Sequence, residues 1–111
     1  MIRGAIYPVD LGKPFGHEQG GKRYGVVISQ GGWAWSVATI IPTSTHAQSA
    51  VFRPEVSING VATKLLVDQI RSVDISRIKG DPVEYLDHFV LRDVEWIITE
   101  YLGLLARGLS L

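Results

Sequence analysis

Through the first 79 residues, apolar positions come in short clusters separated by Gly, Pro and Ser, a punctuation that predicts strands joined by turns. The clusters fall at 5–11, 24–29, 36–42, 50–58, 64–67 and 72–75. Within them, Ala38 to Ile41 and Val26 to Ile28 are unbroken aliphatic or β-branched runs, as expected of strands buried on both faces. Around residue 55 the pattern loosens: Val51, Arg53, Glu55 and Ser57 interleave with Phe52, Val56 and Ile58, which suits a hairpin arm with one wet face. Asn59-Gly60 is a tight-turn signal at the end of that arm.

Near residue 80 the period changes. Asp81-Pro82-Val83-Glu84 combines a capping carboxylate, a proline at the first helical position and a glutamate three residues after the cap, and so predicts a short helical turn. Asp87 reads as a second N-cap, with Leu86 and Leu91 spaced for a hydrophobic staple across it. Val90, Val94, Ile97, Ile98, Tyr101, Leu102 and Leu105 then follow helical spacing, predicting one amphipathic helix over about 88–105, with Asp93, Glu95 and Glu100 on its polar face. Strands followed by a closing helix imply a small barrel or strongly bent sheet capped by that helix.

At 111 residues the chain makes one domain, 1–111, with one core. No run of eighteen apolar residues occurs and MIRGAIY lacks an apolar stretch of signal-peptide length, so a soluble cytoplasmic protein is expected, with no membrane association. The absence of cysteine excludes disulfides, thiolate nucleophiles and the usual zinc sites. Formal net charge is zero, but residues 1–79 carry nine Lys and Arg against five Asp and Glu, and residues 80–111 carry two against six. A basic body of this kind attracts polyanions; chance clustering on a solvated surface explains the charges equally well.

Three histidines, His17, His46 and His88, lie too far apart to show metal-motif spacing, so no metal is expected. Gly16, Gly20 and Gly21 form a glycine-rich loop without a strand-loop-helix unit or a Gly-Lys-Ser/Thr ending, so no nucleotide cofactor is expected either. What remains is Arg23 at a strand start and the hydroxyls of Pro42-Thr43-Ser44-Thr45 at a strand end. An arginine held by a strand presents a fixed fork of donors to a phosphate, and hydroxyls nearby add orientable ones. The plainer alternative pairs Arg23 with Glu18 or Asp68 and leaves the hydroxyls to make a turn.

Several separated stretches resemble the MazF/PemK toxins of bacterial toxin-antitoxin pairs, in order and over nearly the whole chain. They are Arg3-Gly4-Ala5-Ile6-Tyr7, Val9-Asp10-Leu11, Gly16-His17-Glu18-Gln19, Lys22-Arg23 before Val26-Val27-Ile28, Pro42-Thr43-Ser44-Thr45, and Asp68-Gln69-Ile70-Arg71-Ser72-Val73-Asp74. The resemblance implies an SH3-like barrel of short antiparallel strands closed by a C-terminal helix, and a homodimer. It implies a metal-independent endoribonuclease without cofactor that cuts single-stranded RNA at particular sequences, in mRNA and with rRNA or tRNA as further candidates, and so inhibits translation and growth. It also implies a MazE-like antitoxin that blocks the RNA groove, with DNA met only through the antitoxin complex. In such enzymes the ribose 2′-OH attacks the adjacent phosphate, leaving a cyclic phosphate or 3′-phosphate and a 5′-hydroxyl; DNA, lacking that nucleophile, is spared.

By position, Arg23 matches the family's catalytic arginine. Aligned without gaps from Pro42, Ser44 falls where the family usually has threonine, whereas one deleted residue would bring Thr43 there; Ser44 is preferred. His17 occupies a position proposed as catalytic in the Kid branch, and Asp68 matches that branch's aspartate, although the arginine two residues earlier is Leu66 here. Arg23-Tyr24 replaces the family's common Arg-Pro, and the segment 30–35 is short, with Trp33 and Trp35 in it. A guanidinium stays protonated at any working pH, so Arg23 is expected to stabilise the dianionic phosphorane. His17 is preferred over Glu18 as the proton acceptor. Lys22, Thr45, Asp68, Gln69 and Arg71 are expected along the RNA groove, with bracing of the barrel as the alternative for Gln69 and Arg71. Trp33 and Trp35 are expected at an interface and Trp96 in the core or a dimer contact. Two rivals of another class are a CcdB-like toxin that binds a protein such as gyrase, disfavoured by the Gly108-Leu109-Ser110-Leu111 ending, and an SH3-like binding module.

Overall fold

A computed structural model describes residues 1–31 and 36–104. Trp33, Trp35, Leu105 and the ending 108–111 lie outside the described residues. Among the described residues seven strands are followed by one α-helix: β1 (Ala5–Asp10), β2 (Lys22–Val27), β3 (Val37–Ser44), β4 (Glu55–Ile58), β5 (Val61–Leu65), β6 (Arg71–Asp74), β7 (Glu84–Tyr85) and α1 (His88–Tyr101). The pairing order is β4-β5-β3-β2-β1-β7, with β6 also on β3, and every pairing is antiparallel. The long β3 bends the sheet into a nearly closed barrel: its first half pairs with β6 and its last two residues with β5.

Alternation along β1 divides the interior in two. Ala5, Tyr7 and Val9 pack with Val27, Ile40 and Val73 on one side, and Ile6 packs with Val26, Ile41, Ile58, Leu65 and Val67 on the other. Both faces of the central strands are therefore covered, which is why their apolar runs are continuous. Helix α1 lies over the second cluster through fully buried Val94, with Val90, Ile97 and Ile98 beside it. Asp87 caps it by accepting from the Phe89 amide at 2.8 Å. Among these described residues no helix is long and apolar enough to cross a membrane.

The differences from the pattern-based expectation have local causes. Instead of a helical turn, residues 81–85 lead into β7, because the Val83 and Leu86 amides donate to the Ile6 and Gly4 carbonyls at 2.8 Å each. Pairing with an open barrel edge outweighs the capping signal. Helix α1 stops at Tyr101 rather than 105: Gly103 adopts φ +71, its amide donates to Glu100, and the Leu104 amide donates to Thr99, a Schellman ending. Residues 50–54 turn, with the Arg53 amide on the Ala50 carbonyl, so the hairpin arm begins only at Glu55. The tip of that hairpin is as expected: Asn59 and Gly60 take φ +50 and +79, a two-residue turn of type I′. Trp96 is 53% exposed and so is no core residue.

Candidate active site

Strand β2 begins two residues earlier than the hydrophobic pattern predicts and β3 runs two residues further, and both extensions matter. They bring Lys22, Arg23, Thr43 and Ser44 inside the ladder, where backbone pairing fixes them. The β2–β3 register sets Gly25 opposite Pro42 and Val26 opposite Ile41. Beyond Pro42 strand β3 pairs with β5 instead, Thr43 with Leu65 and Ser44 with Lys64, so Arg23 meets the end of β3 through its side chain.

The Arg23 side chain is held by the backbone. Its Nε donates to the Gly20 carbonyl at 2.7 Å and one terminal nitrogen donates to the Thr43 carbonyl at 3.3 Å. A guanidinium has five N–H donors, so three remain for a ligand. Among the described residues Arg23 makes no ion pair, which removes the alternative of Glu18 or Asp68 as its partner. Thr43 and Ser44 are both buried but differ in bonding. The Thr43 hydroxyl donates to the Tyr24 carbonyl at 2.9 Å, so its proton is committed to the sheet. The Ser44 hydroxyl accepts from the His46 amide at 3.1 Å and keeps its own proton to donate.

These groups open on a cleft of about 440 Å³. Lys22, Arg23, Thr43, Ser44 and Thr45 line it, as do Pro8, Tyr24, Ile58, Asn59, Val61 and Thr63 from β1, β2 and the β4–β5 hairpin. No acidic side chain is among them, so nothing in the lining repels a phosphate.

The other expected site residues stand outside this lining. His17 and Glu18 are exposed on the loop between β1 and β2. That loop is closed at its base by the Gly21 amide on the Gly12 carbonyl and the Leu11 amide on the Gly21 carbonyl. Gln69 clamps it from the side: its Oε1 accepts from the Gln19 amide at 2.7 Å and its Nε2 donates to the His17 carbonyl at 3.1 Å. Asp68 is bidentate to Arg53, 2.9 Å to Nε and 2.8 Å to a terminal nitrogen, with both side chains under a fifth exposed. The Asp68 hydrogen bond holds the Arg53 guanidinium above its ordinary range. Arg71 sits in β6 opposite Ile40. Away from the cleft, the Ser76 contacts hold the Asp74 carboxyl below its usual range. Among the described residues no three His, Asp or Glu side chains converge as metal ligands would.

Sequence reasoning missed Asn59, Tyr24 and Arg53 as neighbours of these groups. Asn59-Gly60 signals only a turn, and what the turn faces depends on how the barrel closes. Arg53 and Asp68 are fifteen residues apart, a spacing with no local periodicity to expose it.

Comparison with known proteins gives one consistent answer. The profile of the PemK-like, MazF-like toxin of type II toxin-antitoxin systems matches residues 2–102. A candidate toxin of Mycobacterium tuberculosis, Rv3098A, is 55% identical over 105 residues, 94% of this chain and 99% of that one. Among solved structures, MazF from Deinococcus radiodurans superposes with a TM-score of 0.78 at 25% identity, covering 91% of this chain and 94% of that one. An endoribonuclease from a mycobacterial species, solved with its cognate antitoxin, gives a TM-score of 0.75 at 16% identity over 94% of this chain and 96% of that one, a likeness of fold.

Proposed function

This chain belongs to the PemK/MazF family of type II toxin-antitoxin toxins, and on that premise we propose that it is a metal-independent endoribonuclease cutting single-stranded RNA in the cytoplasm. The observation that carries the reading is Arg23, fixed by two backbone carbonyls, keeping three donors in a cleft that Ser44 also lines and that no acidic side chain enters. A fixed fork of charged donors beside a hydroxyl suits a phosphodiester whose charge grows during reaction.

In the reaction the ribose 2′-oxygen forms a bond to phosphorus as its proton passes to a base. The phosphorane gains a negative charge, and the 5′-oxygen leaves with its electron pair and is protonated. The products are a 2′,3′-cyclic phosphate and a 5′-hydroxyl. Arg23 neutralises the equatorial oxygens, and the Ser44 hydroxyl donates to one of them; one such donor contributes roughly 3 kcal/mol to a transition state. We assign the base to His17, with Glu18 next to it as the alternative. His17 is three residues from Gly20, whose carbonyl accepts from Arg23, so the loop that carries His17 is tied to the Arg23 side chain. Lys22 and Thr45 extend the cationic and hydroxyl lining along the RNA. We further propose a homodimer and an antitoxin whose extended acidic tail competes with RNA for the cleft.

Incubation of the purified protein with mixed-sequence RNA in EDTA, with the new ends mapped, tests this reading. Cleavage without added metal, leaving 5′-hydroxyls and cyclic or 3′-phosphates, is expected. Arg23→Ala should abolish it without unfolding the barrel. No cleavage, or cleavage that requires magnesium, overturns the assignment.

A further inference from the structure

The cleft lining carries two kinds of chemistry. Lys22, Arg23, Ser44 and Thr45 supply cations and hydroxyls, whereas Tyr24, Ile58, Asn59 and Val61 supply an aromatic ring, aliphatic surface and one amide. A nucleotide joins the same two kinds in its phosphate and its base, and about 440 Å³ is within the range of ordinary small-ligand sites.

The amide in this lining is held at two points. Asn59 is the one non-glycine residue with positive φ among the described residues, at +50 in the tip of the β4–β5 hairpin. Its backbone amide donates to Glu84 Oε1 at 3.1 Å, tying the tip to β7, and its Nδ2 donates to the Tyr24 hydroxyl at 3.2 Å, tying the side chain to β2. An exposed turn asparagine needs neither bond to make a type I′ turn, so the turn does not account for them. The amide lines the cleft, and among the described residues one N–H and the carbonyl oxygen stay unused. With Nδ2 on the Tyr24 hydroxyl, the free donor and acceptor follow one another in a set sense. Adenine and cytosine present an amino donor beside a ring acceptor, and guanine and uracil present a carbonyl acceptor beside a ring donor, in the opposite sense.

We propose that Asn59, oriented by Tyr24, reads a base edge next to the scissile phosphate and separates amino bases from keto bases at that one position. Asn59 is thus a specificity residue of the site and Tyr24 its positioning partner. This rests on the nuclease reading above, whose failure the test distinguishes.

The test is cleavage of a randomised single-stranded RNA library by the wild type, Asn59→Gly and Tyr24→Phe, with the cut ends sequenced. Glycine accepts positive φ, so the hairpin survives without the amide; phenylalanine keeps the ring and removes the anchor. Thermal melting confirms that both variants fold. A bidentate base contact contributes a discrimination of roughly tenfold or more. The wild type is expected to show an amino-against-keto preference of about that size at one position beside the cut, and both variants should flatten that position while the others keep their preferences. A wild-type profile retained by both variants overturns the inference, as does folded Asn59→Gly protein that cuts nothing, since a base reader sets preference rather than chemistry. Wild-type protein that cuts no member of the library refutes the nuclease reading itself.

Discussion

Two adjacent hydroxyls in β3 differ in a single proton. That of Thr43 is spent on the Tyr24 carbonyl across the ladder, and that of Ser44 is free because the serine oxygen accepts from the His46 amide. A donor already committed inside a sheet cannot follow charge as it develops on a phosphorane; an uncommitted one can. Ser44→Ala is therefore expected to lower the cleavage rate by about a hundredfold, with a stability cost of about 1 kcal/mol for the His46 amide it leaves unpaired. Thr43→Val should cost about 1 kcal/mol of stability by leaving the Tyr24 carbonyl unpaired, and should slow cleavage far less than Ser44→Ala. Rates and melting curves of the two variants decide between them, and a reversal of the pattern would transfer the role to Thr43. The same logic separates Arg23 from lysine: an ammonium cannot hold the Gly20 and Thr43 carbonyls and still offer a planar fork, so Arg23→Lys should be nearly as inactive as Arg23→Ala.

At the scale of elements, the β1–β2 loop depends on a residue fifty positions away. Gln69 bonds both the Gln19 amide and the His17 carbonyl, and through this loop it bears on the Gly20 carbonyl that orients Arg23. Gln69→Ala is expected to speed hydrogen exchange at the Gln19 amide and to slow cleavage several-fold. A Gln69 that touched RNA instead would, when removed, weaken RNA binding and leave Gln19 exchange unchanged. This dependence marks the limit of what was legible beforehand. The barrel strands, the Asn59-Gly60 turn and the Asp87 cap were readable because each is a local pattern of polarity or backbone preference. So was the link between Arg23 and the Ser/Thr cluster, but through family resemblance rather than spacing. The clamp by Gln69, the pairing of Asp68 with Arg53 and the conversion of residues 81–85 into a strand all arise from contacts between distant segments, where a capping motif or a charge carries no address. Gly103 was different: it signals the helix end locally, and the apolar spacing through Leu105 masked it.

For the whole molecule, the zero net charge conceals an uneven distribution along the chain. The basic excess lies within residues 1–79, which supply every residue lining the cleft, and the acidic excess lies within residues 80–111. The lining residues named above all come from a single chain. Binding should then behave as a small number of phosphate contacts on an otherwise neutral protein. An RNA carrying a 2′-deoxy sugar at the cut nucleotide binds without being cut and allows this to be measured. With Lys22 and Arg23 as the two cations in the lining, the logarithm of affinity should fall against the logarithm of salt with a slope of roughly −1.4, at about 0.7 per contact on single strands. Lys22→Ala should reduce that slope by about one contact and weaken all sequences alike, since a phosphate contact reads no base. A slope near zero would move RNA binding away from the cations of the cleft, and a much steeper one would enlist basic residues outside it, with Arg71 on β6 the first to test.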